Sequence, residues 1–349
     1  MPGFNTVNSK TIYLDRNENN YGPAPACFAV LKNAHLSELS WYDRSFTRGI
    51  KSILSARLAR DTGVDESRIL LGYGAENILK QTIQCYLRKD AKLLVPAYSW
   101  WYYKVIASEV GGVSVEYPLI KGTDRFYYDL PGMMEVYHRE KPAIVFISTP
   151  NNPTGNAVAL PDLKRVLATF NDAIVVMDEA YAYHGSADYI KDLVDSFPHL
   201  LIVRTFSKYY ALAGMRIGFA FLGANLTALS QYANRYLGYH RLSEEVALAA
   251  LDSPEYYREI ADHMTEDKEA YYEELGSIAG WRVFKSEANF ILTEIPTSDK
   301  EPLQAFLKKR GLILKFLDEP FLNSHIRITL GTREENRMVL DAIKAYYAG

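Results

Sequence analysis

In the run TFSKYYALAGMRIGFAF, Thr205 to Phe221, a lysine stands behind two hydroxyls and eight residues ahead of an arginine. The four residues are Thr205, Ser207, Lys208 and Arg216. An amine taken out of water and set near positive charge is held in its neutral, nucleophilic form, ready to condense with an aldehyde. Hydroxyls and a guanidinium beside it suit a phosphate on the same molecule. Residue types and spacing therefore point to a phosphorylated aldehyde held as a Schiff base, a description that fits pyridoxal 5'-phosphate. A lone lysine is ordinarily a solvated surface charge, so the reading depends on whether other segments supply partners.

Four do. MDEAYAYH puts Asp178 at the end of an apolar run, where a carboxylate is costly unless paired; a protonated pyridine nitrogen is such a partner and keeps the ring an electron sink. Tyr181, three residues on, is expected to reach the ring's phenolate oxygen. STPNNPTG, Ser148 to Gly155, is a turn in which Pro153 and Gly155 are turn formers and Asn152 offers an amide to the same oxygen. GYGAENIL opens a helix whose first N–H groups, at Ala75 and Glu76, are free for an anion. In PAYSWWYY, Tyr98 lies just past a strand and is expected to stack on the ring, while Trp100, Trp101, Tyr102 and Tyr103 read as core aromatics.

The elements that must position these groups are legible as short apolar runs alternating with helical periodicity, the pattern of an α/β fold with a mostly parallel sheet sandwiched by helices. Strands are expected at Ile69, Lys92, Ala143, Ala173, Leu200 and Ile217. Helices are expected over Glu76 to Leu87, Trp100 to Val110 and Leu160 to Phe170. Lys208, Asp178 and Asn152 then emerge at the carboxyl edge of one sheet, where open α/β sheets bind ligands. The last third changes character. A long helix near Pro254 to Ile278, strands at Asn289, Gly311 and His325, and helices near Leu303 and from Arg333 predict a smaller α+β unit. The expected division is a short polar arm, 1–39, counted with the small domain; a large domain, 40–240, that binds the cofactor; and a small domain, 241–349.

With 349 residues, 48% of them hydrophobic, there is apolar material for two cores. A net charge of -3 with dispersed Lys and Arg gives no basic field for nucleic acid. No apolar run reaches the length of a membrane span. Cys27 and Cys85 are the only cysteines and lack metal-ligand spacing, so no metal is expected and a reducing cytoplasm is the default.

Taken together, these residues resemble the fold type I aminotransferases, closest to the histidinol-phosphate aminotransferase group, over nearly the whole chain. LDRNENNYGPAP resembles that group's amino-terminal signature and HIRITLGTREEN its carboxyl-terminal one. The resemblance implies Lys208 as the Schiff-base lysine and proton carrier, Asp178 on the pyridine nitrogen, Tyr181 and Asn152 on the phenolate, Tyr98 on the ring face, and Ala75, Glu76, Thr205, Ser207 and Arg216 around the phosphate. It further implies a homodimer in which Tyr42 reaches the partner's cofactor phosphate, a substrate anion held by Arg327 with Lys315 nearby, and Tyr21 at the substrate entrance. The implied reaction is ping-pong transfer of an amino group from a small-molecule donor, L-histidinol phosphate, to a 2-oxo acid, 2-oxoglutarate. Three positions depart from the group's pattern: Asn20 replaces a proline, Ala75-Glu76-Asn77 replaces a Ser/Ala-Asp-Glu run, and Lys315 replaces an arginine. The last exchange keeps charge and loses a bidentate fork. Donor identity thus stays open among histidinol phosphate and aromatic or other amino acids, and a threonine-phosphate decarboxylase has a similar site. A non-catalytic regulator of this fold would carry an added basic domain or lack the lysine, and neither is seen.

Overall fold

The structure is a computed structural model and describes residues 11–42, 52–182, 188–232 and 238–348. Continuous apolar runs must be buried on both faces, and such strands build the central seven-stranded sheet. Its order is Ile69–Tyr73, Ile217–Leu222, Leu200–Thr205, Ile174–Asp178, Ile144–Ser148, Lys92–Pro96 and Val113–Tyr117. From Leu200–Thr205 to Val113–Tyr117 every pairing is parallel. Ile217–Leu222 runs antiparallel to both neighbours. The carboxyl ends of the parallel strands, at Pro96, Ser148, Asp178 and Thr205, consequently share one edge with Tyr73.

Successive residues of these strands feed opposite cores, as a period of two requires. Val145, Ile147, Val175 and Ile202 pack into one layer with Leu163, Val166 and Leu167 of the helix Leu160–Thr169. Ile144, Phe146, Val176 and Leu201 pack into the other with Ile78 and Ile83 of the helix Ala75–Tyr86.

A second, five-stranded sheet has the order Ile12–Leu14, Leu312–Phe316, His325–Thr329, Phe290–Glu294, Arg282–Phe284. Its core joins Met264 and Tyr271 of the helix Pro254–Gly276 to Leu303, Ile326, Val339 and Ile343. The amino-terminal strand enters this sheet in parallel register, Ile12 opposite Leu312. Packing crosses the expected boundaries at two places. The helix Arg241–Leu251 packs with the helix Pro25–Asn33, and Cys27, Val246, Ala247 and Ala250 all lie in the large core. Small side chains permit that close approach. The changeover comes inside Pro254–Gly276, where Tyr257 faces the large core and Ile260 the small one. Among the described residues no helix is long and apolar enough to cross a membrane, and no cluster of His, Cys, Asp and Glu could hold a metal ion.

Candidate active site

At the shared edge, between the two units, lies a cavity of about 520 Å³ lined by Lys208, Asp178, Tyr181, Asn152, Ala75, Glu76, Thr205, Ser207, Arg216, Lys315 and Arg327. Eleven of the fourteen residues singled out in the sequence thus meet in one place.

Each arrives by a local cause. The strand Leu200–Thr205 ends in Thr205, whose Oγ1 lies 2.9 Å from Ser207 Oγ and accepts from Ser207 N–H at 3.1 Å. This turn delivers Lys208, whose Nζ donates to the Arg16 carbonyl at 2.8 Å and sits 5.7 Å from the centre of the Tyr181 ring. Burial, then the charges of Arg327 and Arg216, bring the amine down from 10.5 to about 8, against the pull of Glu18.

Asp178, 5% exposed, receives the Tyr103 hydroxyl at Oδ2 (2.5 Å) and the Ala180 N–H at Oδ1 (3.0 Å). Burial raises its pKa, and both hydrogen bonds oppose the rise. The Tyr181 phenol is also raised, chiefly by burial; its oxygen accepts from Asn17 Nδ2 at 3.0 Å and its ring lies edge-on to Phe290. Asn152 Oδ1 accepts from Arg327 Nη1 at 2.6 Å, which leaves the amide NH₂ as its donor. Arg327 Nη2 donates to the Asp15 carbonyl at 2.6 Å. Burial lowers the guanidinium pKa, yet the group remains a cation. Lys315 is paired with Arg327 across the antiparallel strands, so two cations stand side by side at this end.

The opposite end is built for an anion. The helix Ala75–Tyr86 has Gly74 at its N-cap (φ 78°) and no side-chain cap, leaving its first N–H groups unclaimed by a cap. The Arg216 guanidinium lies over Gly74, where a Cβ would fall 2.5 Å from Nη2. Arg216 itself has φ 53°. A Cβ on Gly218 would fall 2.4 Å from the Ala75 nitrogen, so glycine there keeps the cradle open. Among the described residues, the buried Ser99 Oγ and Arg327 Nε have no hydrogen-bond partner, and both residues line the cavity.

Three of the fourteen do not line this cavity, and one of them, Tyr42, was expected at a partner's site rather than here. Tyr98 turns into the seam between the units, edge-on to Phe126 at 5.8 Å, on the face of the strand that it shares with Leu94 and away from the cavity. Its place on the wall is taken by Trp101, expected in the core but 57% exposed and lining the cavity at the start of the helix Tyr102–Glu109. Tyr21 packs on the small core, its ring 6.1 Å from His263. Tyr42 stands 71% exposed outside the cavity.

Tyr103 and Asn17 are further residues not expected here. Tyr103 is buried as an aromatic should be, but its hydroxyl reaches Asp178. Asn17, with φ 56°, is bound through its N–H and Oδ1 to Thr329 and through its carbonyl to Asn289, and it holds Tyr181. An asparagine tolerating the left-handed region within the opening signature was the available signal.

Residues 10–343 match the model of the family described as aminotransferase class I and II. Over 346 residues the chain is 32% identical to a histidinol-phosphate aminotransferase of Gluconacetobacter diazotrophicus, covering 98% of this chain and 93% of that one. It is likewise 32% identical over 282 residues to a histidinol-phosphate aminotransferase of Ruminiclostridium cellulolyticum, covering 81% and 78%. The crystal structure of histidinol-phosphate aminotransferase from Sinorhizobium meliloti in complex with pyridoxal-5'-phosphate superposes with a TM-score of 0.82 at 22% identity, over 96% of this chain and 91% of that one, a likeness of fold. With one family model spanning nearly all of it, and close to a third of its residues shared with a relative along its length, this chain belongs to the class I and II aminotransferases.

Proposed function

We propose that the cavity holds pyridoxal 5'-phosphate on Lys208 and that the enzyme moves an amino group from L-histidinol phosphate to 2-oxoglutarate. The observation that carries this reading is an amine brought to about 8 inside one cavity with a buried carboxylate, an uncapped helix start and paired cations. When bound, the cofactor supplies a carbonyl carbon for the amine and a ring that withdraws electrons from the carbon being deprotonated.

The chain's own groups do the rest. With the cofactor bound, the free Lys208 Nζ would take a proton from the donor's carbon in one half-reaction and deliver one to the 2-oxo acid's carbon in the other, a task suited to a base near neutrality. Asp178, fixed by Tyr103 and the Ala180 N–H, accepts the ring nitrogen's proton in a hydrogen bond. Tyr181 and Asn152 hold the phenolate oxygen. Ala75, Glu76, Thr205, Ser207 and Arg216 surround the phosphate, and Trp101 offers an aromatic face. Arg327 and Lys315, adjacent across two strands, suit a doubly charged phosphate or carboxylate. Two cations match a doubly charged phosphate better than the single carboxylate of an aromatic amino acid, in line with the activity named for the relatives.

A homodimer completes the reading. Phe28, Leu31, Leu39, Trp41 and Tyr42 leave large apolar surface exposed over residues 25–42, which a second copy would cover while Tyr42 reaches its phosphate site. Free cysteines, one buried and one half-buried, accord with a reducing cytoplasm.

The test is a set of half-reactions followed through the visible absorbance of the loaded enzyme. L-Histidinol phosphate should bleach the band fastest and 2-oxoglutarate should restore it. Faster bleaching by aromatic amino acids would overturn the donor, release of carbon dioxide would overturn the transfer, and an unchanged band in Lys208→Ala would overturn the role of the lysine.

A further inference from the structure

The strand ends around Ser148 and Asp178 have two fronts. Ser148, Asn152, Asp178 and Tyr181 face the cavity described above, while their neighbours Thr149, Asn156, Met177 and Glu179 face another. This rear cavity is about 650 Å³, and among the described residues it shares no lining residue with the first. The small unit closes it with Lys268 and Tyr272 of the helix Pro254–Gly276 and with the loop carrying Ser286.

Two buried groups give the rear cavity its chemistry. Lys268 is 6% exposed and donates to the Ser286 carbonyl at 3.0 Å. Asn156 is 5% exposed; its Oδ1 accepts from the Thr154 hydroxyl at 2.6 Å, and its Nδ2 has no acceptor among the described residues. Both line the same cavity, and their segments meet at Ser286. A Cβ on Gly155 would fall 2.3 Å from Ser286 Oγ, and Glu287 N–H donates to the Gly155 carbonyl at 2.7 Å. Of the carboxylates present, buried Glu179 is already bound by Arg204 at 2.7 Å and by Tyr189, while Glu269 and Glu287 are exposed and favour the charge on Lys268 from the rim. Arg125 and Lys285 are cations that share Asp124 outside. Much of the remaining wall is hydrocarbon, from Val158, Leu163 and Met177.

We propose that this rear cavity binds a small carboxylic acid with an apolar body, its carboxylate accepting from Asn156 Nδ2 and Lys268 Nζ. A buried cation beside an unused amide N–H, set in an apolar wall, is the donor set such a ligand needs. The ligand is an effector rather than a substrate, since the site lies behind the turn and away from Lys208. The coupling is mechanical. Asn156 and Asn152 belong to one turn, so an occupant that draws on Asn156 moves the partner of Arg327, and donor binding must change effector affinity by the same factor.

Isothermal titration of phenylacetate and of hexanoate into the loaded enzyme tests the site. Binding should survive Arg327→Ala, which removes the anion grip of the front cavity, and should weaken at least about tenfold in Lys268→Met and Asn156→Leu, the loss of one charge-assisted hydrogen bond. Leu160→Trp, at a 38% exposed position on the rim, should fill the cavity and abolish binding without disturbing buried groups. Binding lost in Arg327→Ala but kept in Leu160→Trp would place the acid in the front cavity and overturn the proposal. So would the absence of binding by both acids.

Discussion

A phenol that donates to a buried carboxylate decides how firmly the carboxylate keeps its charge. Tyr103 does this for Asp178, at 2.5 Å and out of water. Tyr103→Phe should lower turnover by about tenfold, the worth of one charge-assisted hydrogen bond. It should also leave a signature in the apoprotein. Burial already holds the Asp178 carboxyl above its ordinary value, so ionising it costs folding stability at pH above its folded pKa. Removing the donor enlarges that cost. The variant's loss of stability, read from urea midpoints, should therefore be greatest at neutral pH and shrink as pH falls through the carboxyl range; a constant loss would mean that Tyr103 only packs. At this scale the sequence was readable wherever a polar residue ends an apolar run, as Asp178 does, or closely follows one, as Lys208 does. Parity alone puts Tyr98 on the face of Leu94, away from the cavity, whereas Trp101 lies beyond the reach of strand alternation, at the start of a helix. Asn17 was hidden for another reason: its partners Thr329 and Asn289 lie at the far end of the chain.

Among the elements, the reversed strand Ile217–Leu222 shapes the phosphate end. It lies between Ile69–Tyr73 and Leu200–Thr205, and its Gly218 backs directly onto Gly74 and Ala75. Gly218→Ala puts a Cβ within 2.3 Å of backbone that has no side-chain freedom to give. The expected outcome is a destabilisation of about 1–3 kcal/mol and weaker capture of pyridoxal phosphate by the apoprotein, measured by fluorescence titration; unaltered capture would show that the cradle tolerates displacement. All six strands expected in the large sheet form, because continuous apolar runs leave little choice. Their directions are another matter. Residues 206–216, which join Leu200–Thr205 to Ile217–Leu222, contain only a short 3₁₀ turn, and parallel crossovers ordinarily need a dozen or more residues with a helix. That length signal was present, while the run's composition says nothing of direction. Val113–Tyr117 and the strands Leu119–Lys121 and Phe126–Tyr128 escaped notice because edge strands and hairpins mix exposed with buried positions.

For the whole molecule, acid is the expected weakness. His325 is 1% exposed and stacked on Phe284 in the small sheet, and burial, with Lys121 nearby, holds its imidazole at about 4 against an ordinary 6.5. A base with a depressed folded pKa is protonated first in the unfolded chain, so stability should fall as pH drops from 6.5 toward 4, by up to about 3 kcal/mol. His325→Phe should flatten that segment of the pH–stability curve, and an unchanged slope would assign the acid loss elsewhere. Assembly is the second global property. Sedimentation should show a dimer that Trp41→Glu with Tyr42→Glu splits into monomers with little activity, and a fully active monomer would defeat the shared-site reading.

The arm strand Ile12–Leu14 pairs with Leu312–Phe316, and Asn17 is fastened to Thr329. In order of synthesis, this makes the first described strand wait for nearly the last. The large unit can collapse on the ribosome from its own layers, but the segment Asp15–Glu18, which also touches Lys208, Tyr181 and Asn289, gains its anchors to Arg327 and Thr329 only when residues beyond 325 have been made. A chain halted near residue 300 would hold Lys208, Asp178 and the phosphate cradle without the wall that closes over them. Completion of the site thus waits on the strand His325–Thr329.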